Sequence, residues 1–184
     1  MDKFVPGTNI PYSSGGTFAQ FVPLIQMTDG LTLSQVCSLT GLEPSTIQNW
    51  VKRKFVSRPV EKKYRERQLA RILLISALRN SMKIDRIGEL MSMVNGDADD
   101  TSDDIISEEQ MYDYLCEVIA KTDDGAAPID KIPQLVSSVT KSYTPPSKMA
   151  EERLKDALTV MVCAYISGKY KDEADSLFCK MKEK

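Results

Sequence analysis

Apolar residues in this chain recur mostly at the three- and four-residue spacing of a helix face. From Leu31, the residues Leu33, Val36, Cys37 and Leu39 predict one face of a short helix that Thr32 or Ser34 caps. Thr40-Gly41-Leu42 reads as the turn that ends it. Pro44 suits the first position of a second helix running to Arg53, with Ile47, Trp50 and Val51 facing a core. Pro59 and the short polar run from Ser57 to Tyr64 fit a tight loop or a two-stranded ribbon. A third helix, from about Arg65 to Asn80, is apolar almost all round and should be central. A fourth, Ile84 to Val94, carries Ile84, Ile87, Leu90, Met91 and Val94 on one side.

After Asn95-Gly96 the pattern breaks into an acidic loop. Ser107 with Gln110 reads as a capping box, opening a helix to about Ala120 that Asp123-Asp124-Gly125 closes. Residues 129–139 read as helical in part, interrupted by Pro133, and Pro145-Pro146 marks a break. Two more helices, about 148–166 and 170–181, are expected with a split at Gly168. Residues 1–30 are rich in Gly, Pro, Ser and Thr and read as an arm, with a short apolar stretch at 18–25. The fold class expected is all-α. Its divisions are an N-terminal arm at 1–30, a helix-turn-helix unit at 31–95, an acidic loop at 96–106 and a helical unit at 107–184.

Charge changes the picture. The 184 residues carry 24 basic and 26 acidic side chains, a net charge of −2. Residues 31–95 hold 12 basic against 5 acidic residues, a net +7. Residues 96–124 hold one lysine against 11 acids, a net −10. A basic unit is therefore masked by its acidic neighbour, and such asymmetry points to nucleic-acid contact by one part of a chain.

The order of short helix, turn, short helix, basic loop and long apolar helix is that of a helix-turn-helix with a small wing. Gln48 and Asn49 of the second helix can hydrogen-bond base edges, adenine in particular. Ser45 and Thr46 stand at its start. Lys52, Arg53 and Lys54, with Arg58, Lys62, Lys63 and Arg65, can meet phosphates.

The stretch from Leu31 to Val94 resembles the MerR-type winged helix-turn-helix. The matching features are Thr40-Gly41, Pro44, Trp50, the pair Lys52 and Arg53 before the wing, and Tyr64 before the long helix. Leu69, Ile72, Met82, Ile84, Ile87 and Leu90 continue the match. The stretch is also similar to a bacterial family of uncharacterised MerR-like proteins, in which the Trp50–Arg53 run and an Asp-rich loop go together. The resemblance implies a transcriptional regulator that binds double-stranded DNA. Gln48 and Asn49 stand where the MerR pattern has Arg then Tyr, and Val60-Glu61-Lys62 where it has Gly-Tyr-Arg. Its detailed base and phosphate contacts therefore do not transfer, and the C-terminal half has no counterpart in it. The same departures motivate an alternative, a helical protein-interaction module that keeps the helix-turn-helix as a scaffold.

The rest of the chain bears on partners. Leu154, Leu158, Met161, Val162, Tyr165 and Ile166, continued by Tyr170, Leu177, Phe178 and Met181, make a broad apolar stripe. It serves a homodimer, an effector site or packing against helix 111–119. Asp97, Asp99, Thr101, Asp103 and Glu108 approach the spacing of a calcium loop, but Ser102 and Asp104 break it. The acids otherwise suit a helix start, or an internal mimic of phosphate facing basic residues.

The chain has no histidine, so imidazole bases and imidazole metal ligands are excluded. Cys37, Cys116, Cys163 and Cys179 form no CxxC pair and read as reduced, mostly buried thiols. No catalytic residue, metal site or cofactor is expected. No apolar run is long enough for a membrane span and the N-terminus does not read as a secretory signal, so a cytoplasmic protein is expected.

Overall fold

A computed structural model describes residues 4–11, 16–122 and 127–182. Helices dominate: α1 (Val22–Thr28), α2 (Leu33–Thr40), α3 (Pro44–Lys52), α4 (Glu66–Leu78), α5 (Ile84–Asn95), α6 (Glu108–Lys121), α7 (Ile132–Val139) and α8 (Lys148–Lys182). Two dipeptide strands, β1 (Leu31–Thr32) and β2 (Lys63–Tyr64), pair antiparallel, with Leu31 opposite Tyr64.

The first half follows the local chemistry closely. Thr32 caps α2 and Gln35 returns the bond, its side-chain oxygen accepting from the Thr32 N–H at 2.8 Å. Gly41 ends α2 at φ +70°, a left-handed conformation that costs glycine little. Pro44 lies in the first turn of α3, where no helical N–H is lost. Leu42, Ile47 and Trp50 are buried in the common core. The ribbon is present in reduced form. Val60 and Lys63 exchange N–H and C=O bonds at 3.0 and 2.8 Å across a two-residue turn. β2 then pairs with β1, the strand that precedes α2.

α4 is the axis of the core. Leu69, Ala70, Ile72, Leu73, Leu74, Ile75 and Leu78 are all buried, and α6 and α8 pack against it. One apolar cluster runs from Val5 to Ala164, so the basic first half and the helices after the acidic loop share a core. The N-terminal segment belongs to it as well. The buried Tyr112 hydroxyl donates to the Pro6 carbonyl at 2.7 Å, and the Phe18 N–H donates to Asp113. Phe18 meets Tyr112 edge-on, with ring centroids 6.2 Å apart.

Several expectations need correction. Pro133 does not interrupt a helix; it lies in the first turn of α7, after a 3₁₀ turn at Ile129–Lys131. α8 is one continuous helix through Gly168. Gly168 is buried there, and a Cβ would stand 3.3 Å from the Cβ of Asn80. Its small size serves close approach to the α4–α5 turn, not helix termination. The capping box at α6 is one-sided. Ser107 accepts from the Gln110 N–H, but the Gln110 amide reaches the Tyr114 hydroxyl instead. The helix closure read at 123–125 lies outside the described residues. Leu154, Leu158, Met161 and Val162 are buried within the chain, whereas Tyr170, Leu177, Phe178 and Met181 are exposed.

The acidic loop is less solvated than its composition implies. Ala98 and Ile106 are buried, and the Asp104 side chain is only 12% exposed. Cys179 is exposed, while Cys116 is buried, which pushes its thiol up to about 12. Among the described residues no three potential metal-ligating side chains cluster, and no helix is long and apolar enough to cross a membrane.

Candidate nucleic-acid interface

α3 has two opposed faces. Ile47 and Trp50 turn inward and are buried. Ser45, Gln48, Asn49 and Lys52 follow the i, i+3, i+4, i+7 pattern that places residues on one face, and all four are exposed. Thr46 sits at the edge and is half-buried. α3 then ends on Lys54, which takes the left-handed position at φ +62° while the Phe55 N–H returns to the Trp50 carbonyl at 2.9 Å. That turn leaves the Lys54 side chain in solvent.

The hairpin offers a second cationic point. Glu61 and Lys62 occupy its tip at φ 51° and 64°, the two left-handed positions of a type I′ turn. Lys62 and Arg58 are exposed there. Gln68 of α4 holds the approach to the turn, its amide donating to the carbonyls of Ser57 at 3.3 Å and Arg58 at 2.5 Å.

Three of the cations read from the sequence as phosphate contacts are engaged inside the chain. Arg53 pairs with Asp85 of α5 and lies over the Phe55 ring, 4.7 Å from its centroid. Lys63 donates to the Thr28 carbonyl at the end of α1. Arg65 pairs with Asp29 at 3.2 Å. Lys63 and Arg65 thus fasten the sheet to the C-terminal end of α1. Among the described residues no ion pair ties Lys52, Lys54, Arg58 or Lys62.

The fold adds cations that the sequence reading did not include. An open crevice of about 430 Å³ separates α3 from the α4–α5 turn. Thr46 and Trp50 line one side, and Arg79 and Lys83 the other. Both cations are exposed. Their only sequence signal was a basic residue on each side of a predicted turn, far in number from α3.

The acidic loop answers Arg67 of α4, and the start of α6 answers Arg71. Arg67 donates to the Asp100 carbonyl at 3.1 Å and pairs with Asp104 at 3.2 Å. Burial pushes the Asp104 carboxyl up to about 6, against the pull of Arg67. One helical turn along α4, Arg71 pairs with Glu108, both buried. In the loop itself, Asp97 accepts from the Asp99 N–H, and Asp100 from the Ser102 N–H. Backbone bonds of that kind hold the Asp100 carboxyl below its ordinary value.

Fold and surface define a mostly helical protein that presents a polar and cationic helix face beside a short hairpin. Residues 22–115 match the family model described as a domain of unknown function, DUF1836, and the chain belongs to that family. The match runs from α1 into α6 and so spans both the basic unit and the Arg71–Glu108 pair. Residues here are also similar to the uncharacterized protein YkrK of Bacillus subtilis (strain 168), 31% identical over 91 residues. That similarity covers 47% of this chain and 39% of YkrK, so less than half of that relative's length is spanned. No solved structure matches the chain.

Proposed function

We propose that the segment from α1 to α5 is a MerR-like winged helix-turn-helix that binds duplex DNA, and that the protein is a transcriptional regulator. The observation that carries this reading is the exposed stripe Ser45, Gln48, Asn49 and Lys52, backed by buried Ile47 and Trp50. A helix so anchored can lie in a major groove, with amide side chains toward base edges and lysine toward the backbone. Lys62 at the hairpin tip, with Arg58, supplies phosphate contacts beside the groove. Arg79 and Lys83 widen the positive surface across the crevice. The engaged cations Arg53, Lys63 and Arg65 act in this reading as braces for the reading helix and the wing.

The test is a salt titration of the full chain with fluorescent duplex of mixed sequence. Binding should weaken steeply as salt rises, because phosphate contacts release counterions. Lys52→Ala with Lys62→Ala should lower the slope of log K against log salt by about 2, roughly 1 for each contact. Absence of salt-dependent binding at low ionic strength overturns the reading. Engagement of Arg53, Lys63 and Arg65 within the chain favours the second reading, a protein-interaction module. In that case the Lys52–Lys62 surface captures a protein partner and no duplex.

A further inference from the structure

The last turns of α8 stand clear of the rest of the chain. Every residue from Ala174 to Lys182 is exposed. Three of them are large and apolar: Leu177 at 52%, Phe178 at 56% and Met181 at 72% exposure. A helical segment that buries nothing has little to hold it in water, since packing of an apolar face supplies most helix stability.

The apolar residues are also regularly placed. Ala174, Leu177 and Met181 follow one another at spacings of three and four, Tyr170 stands four residues earlier, and Phe178 flanks the stripe. Gly168 and Asp172 mark the opposite side of the helix, which meets Ser81 and Asn80. The stripe therefore points away from the protein's own core. Its spacing is that of a two-stranded coiled-coil seam.

We propose that a second copy of this chain covers the stripe, with the two α8 ends antiparallel. The argument for a like partner is charge. Beside the stripe, Glu173 lies in the first half of the segment and Lys180 in the second. Lys171 and Asp172 turn to the body of their own chain, where both meet Asn80. Lys171 donates to the Asn80 carbonyl at 3.4 Å, and Asp172 accepts from the Asn80 amide at 3.0 and 3.2 Å. Antiparallel pairing sets Glu173 of each copy beside Lys180 of the other, which parallel pairing does not.

The seam also sets the register. Ala174 layers on Leu177 of the second copy, and Met181 reaches the level of Tyr170. Glu173 then falls beside Lys180 of the second copy, and the two-fold axis repeats the pair. The contact is short, so a reversible dimer follows, at the small end of specific interfaces. This inference does not depend on DNA binding.

Sedimentation equilibrium of the full chain tests it, under thiol reductant because Cys179 is exposed. The wild type should show a mass rising with concentration from one chain toward two. Leu177→Glu with Met181→Glu should be monomeric throughout, with the unfolding midpoint of the dilute wild type kept, because both positions are exposed. Glu173→Lys and Lys180→Glu should each weaken pairing roughly tenfold at low salt. Mixed in equal amounts, the two single variants should recover a dimer, since each then meets its opposite charge. A monomeric wild type, or a dimer that survives the two glutamates, overturns the proposal. Failure of the mixed pair to recover overturns the antiparallel register.

Discussion

Arg71 of α4 and Glu108 at the start of α6 form an ion pair closed off from water. Arg71 also donates from Nε to the Phe55 carbonyl at 2.6 Å, just beyond the end of α3. Through one side chain, the reading helix proposed above is tied to the first helix after the acidic loop. The second Glu108 oxygen has no hydrogen-bond partner among the described residues, so the pair is only partly satisfied.

Breaking this pair from one side should be costly. Glu108→Ala leaves the Arg71 cation buried without its counter-charge, and a loss of about 3–5 kcal/mol is expected in urea unfolding. Arg71→Met with Glu108→Leu removes both charges and should lose far less. If the single variant unfolds at the wild-type midpoint, water or another carboxylate already satisfies Arg71.

Asp104 should give the protein a measurable acid-side gain. Its carboxyl is raised from 3.8 to about 6, chiefly by burial, so the folded chain holds that proton more tightly than the unfolded one. The group therefore opposes folding above about pH 6, and its penalty is relieved as pH falls toward 3.8. Relative to Asp104→Asn, the wild type should gain on the order of 2 kcal/mol between pH 7 and pH 4. Thermal or urea unfolding of the two chains across that range checks it, and parallel curves refute it.

The hairpin tip separates stability from the proposed binding. Glu61 and Lys62 both hold left-handed backbone, which costs most side chains about 1–2 kcal/mol. Glu61→Asn with Lys62→Gly supplies the residues that a type I′ turn prefers and should stabilise the chain by about 1 kcal/mol. The same change removes a proposed phosphate contact, so DNA affinity should fall while the unfolding midpoint rises. A midpoint that falls instead means that these side chains make contacts worth more than the backbone strain.

Gly7 of the N-terminal segment lies against α4. It has φ +75°, and a Cβ there would stand 2.2 Å from the Leu73 carbonyl oxygen. Gly7→Ala should therefore displace the segment, at a cost of about 2 kcal/mol or more. Added protease should then cut within residues 4–11 faster than in the wild type. Equal cleavage and equal stability would mean that the segment yields freely.

Much of the fold was legible because its signals are local. Thr32, Gly41, Pro44 and the Ile47–Trp50 spacing act through backbone conformation and helix periodicity, and each works within a few residues of itself. The polar face of α3 was legible for the same reason. Pro133 and Gly168 were misread because local preference describes only what a residue costs in isolation. Pro133 lies where a helix begins and loses nothing. Gly168 lies inside a helix where an added Cβ would press on Asn80 at 3.3 Å, a contact far away in sequence. Arg53, Lys63 and Arg65 were legible as cations, but not as cations with partners, since Asp85, Thr28 and Asp29 lie 32 to 36 residues away in number.

The sequence by itself determined the helices from α2 to α6, the cap of α2, the polar stripe on α3 and the separation of a +7 stretch from a −10 stretch. These follow from dihedral preference, periodicity and charge counting, which need no knowledge of distant residues. Only the tertiary structure decided where those charges go. It sent the acidic loop to Arg67, with Arg71 meeting Glu108 one turn further along α4, and left Lys52, Lys54, Arg58 and Lys62 in solvent. The physical reason is that opposite charges meet only where packing around α4 brings them together, and that packing is set by a core running from Val5 to Ala164.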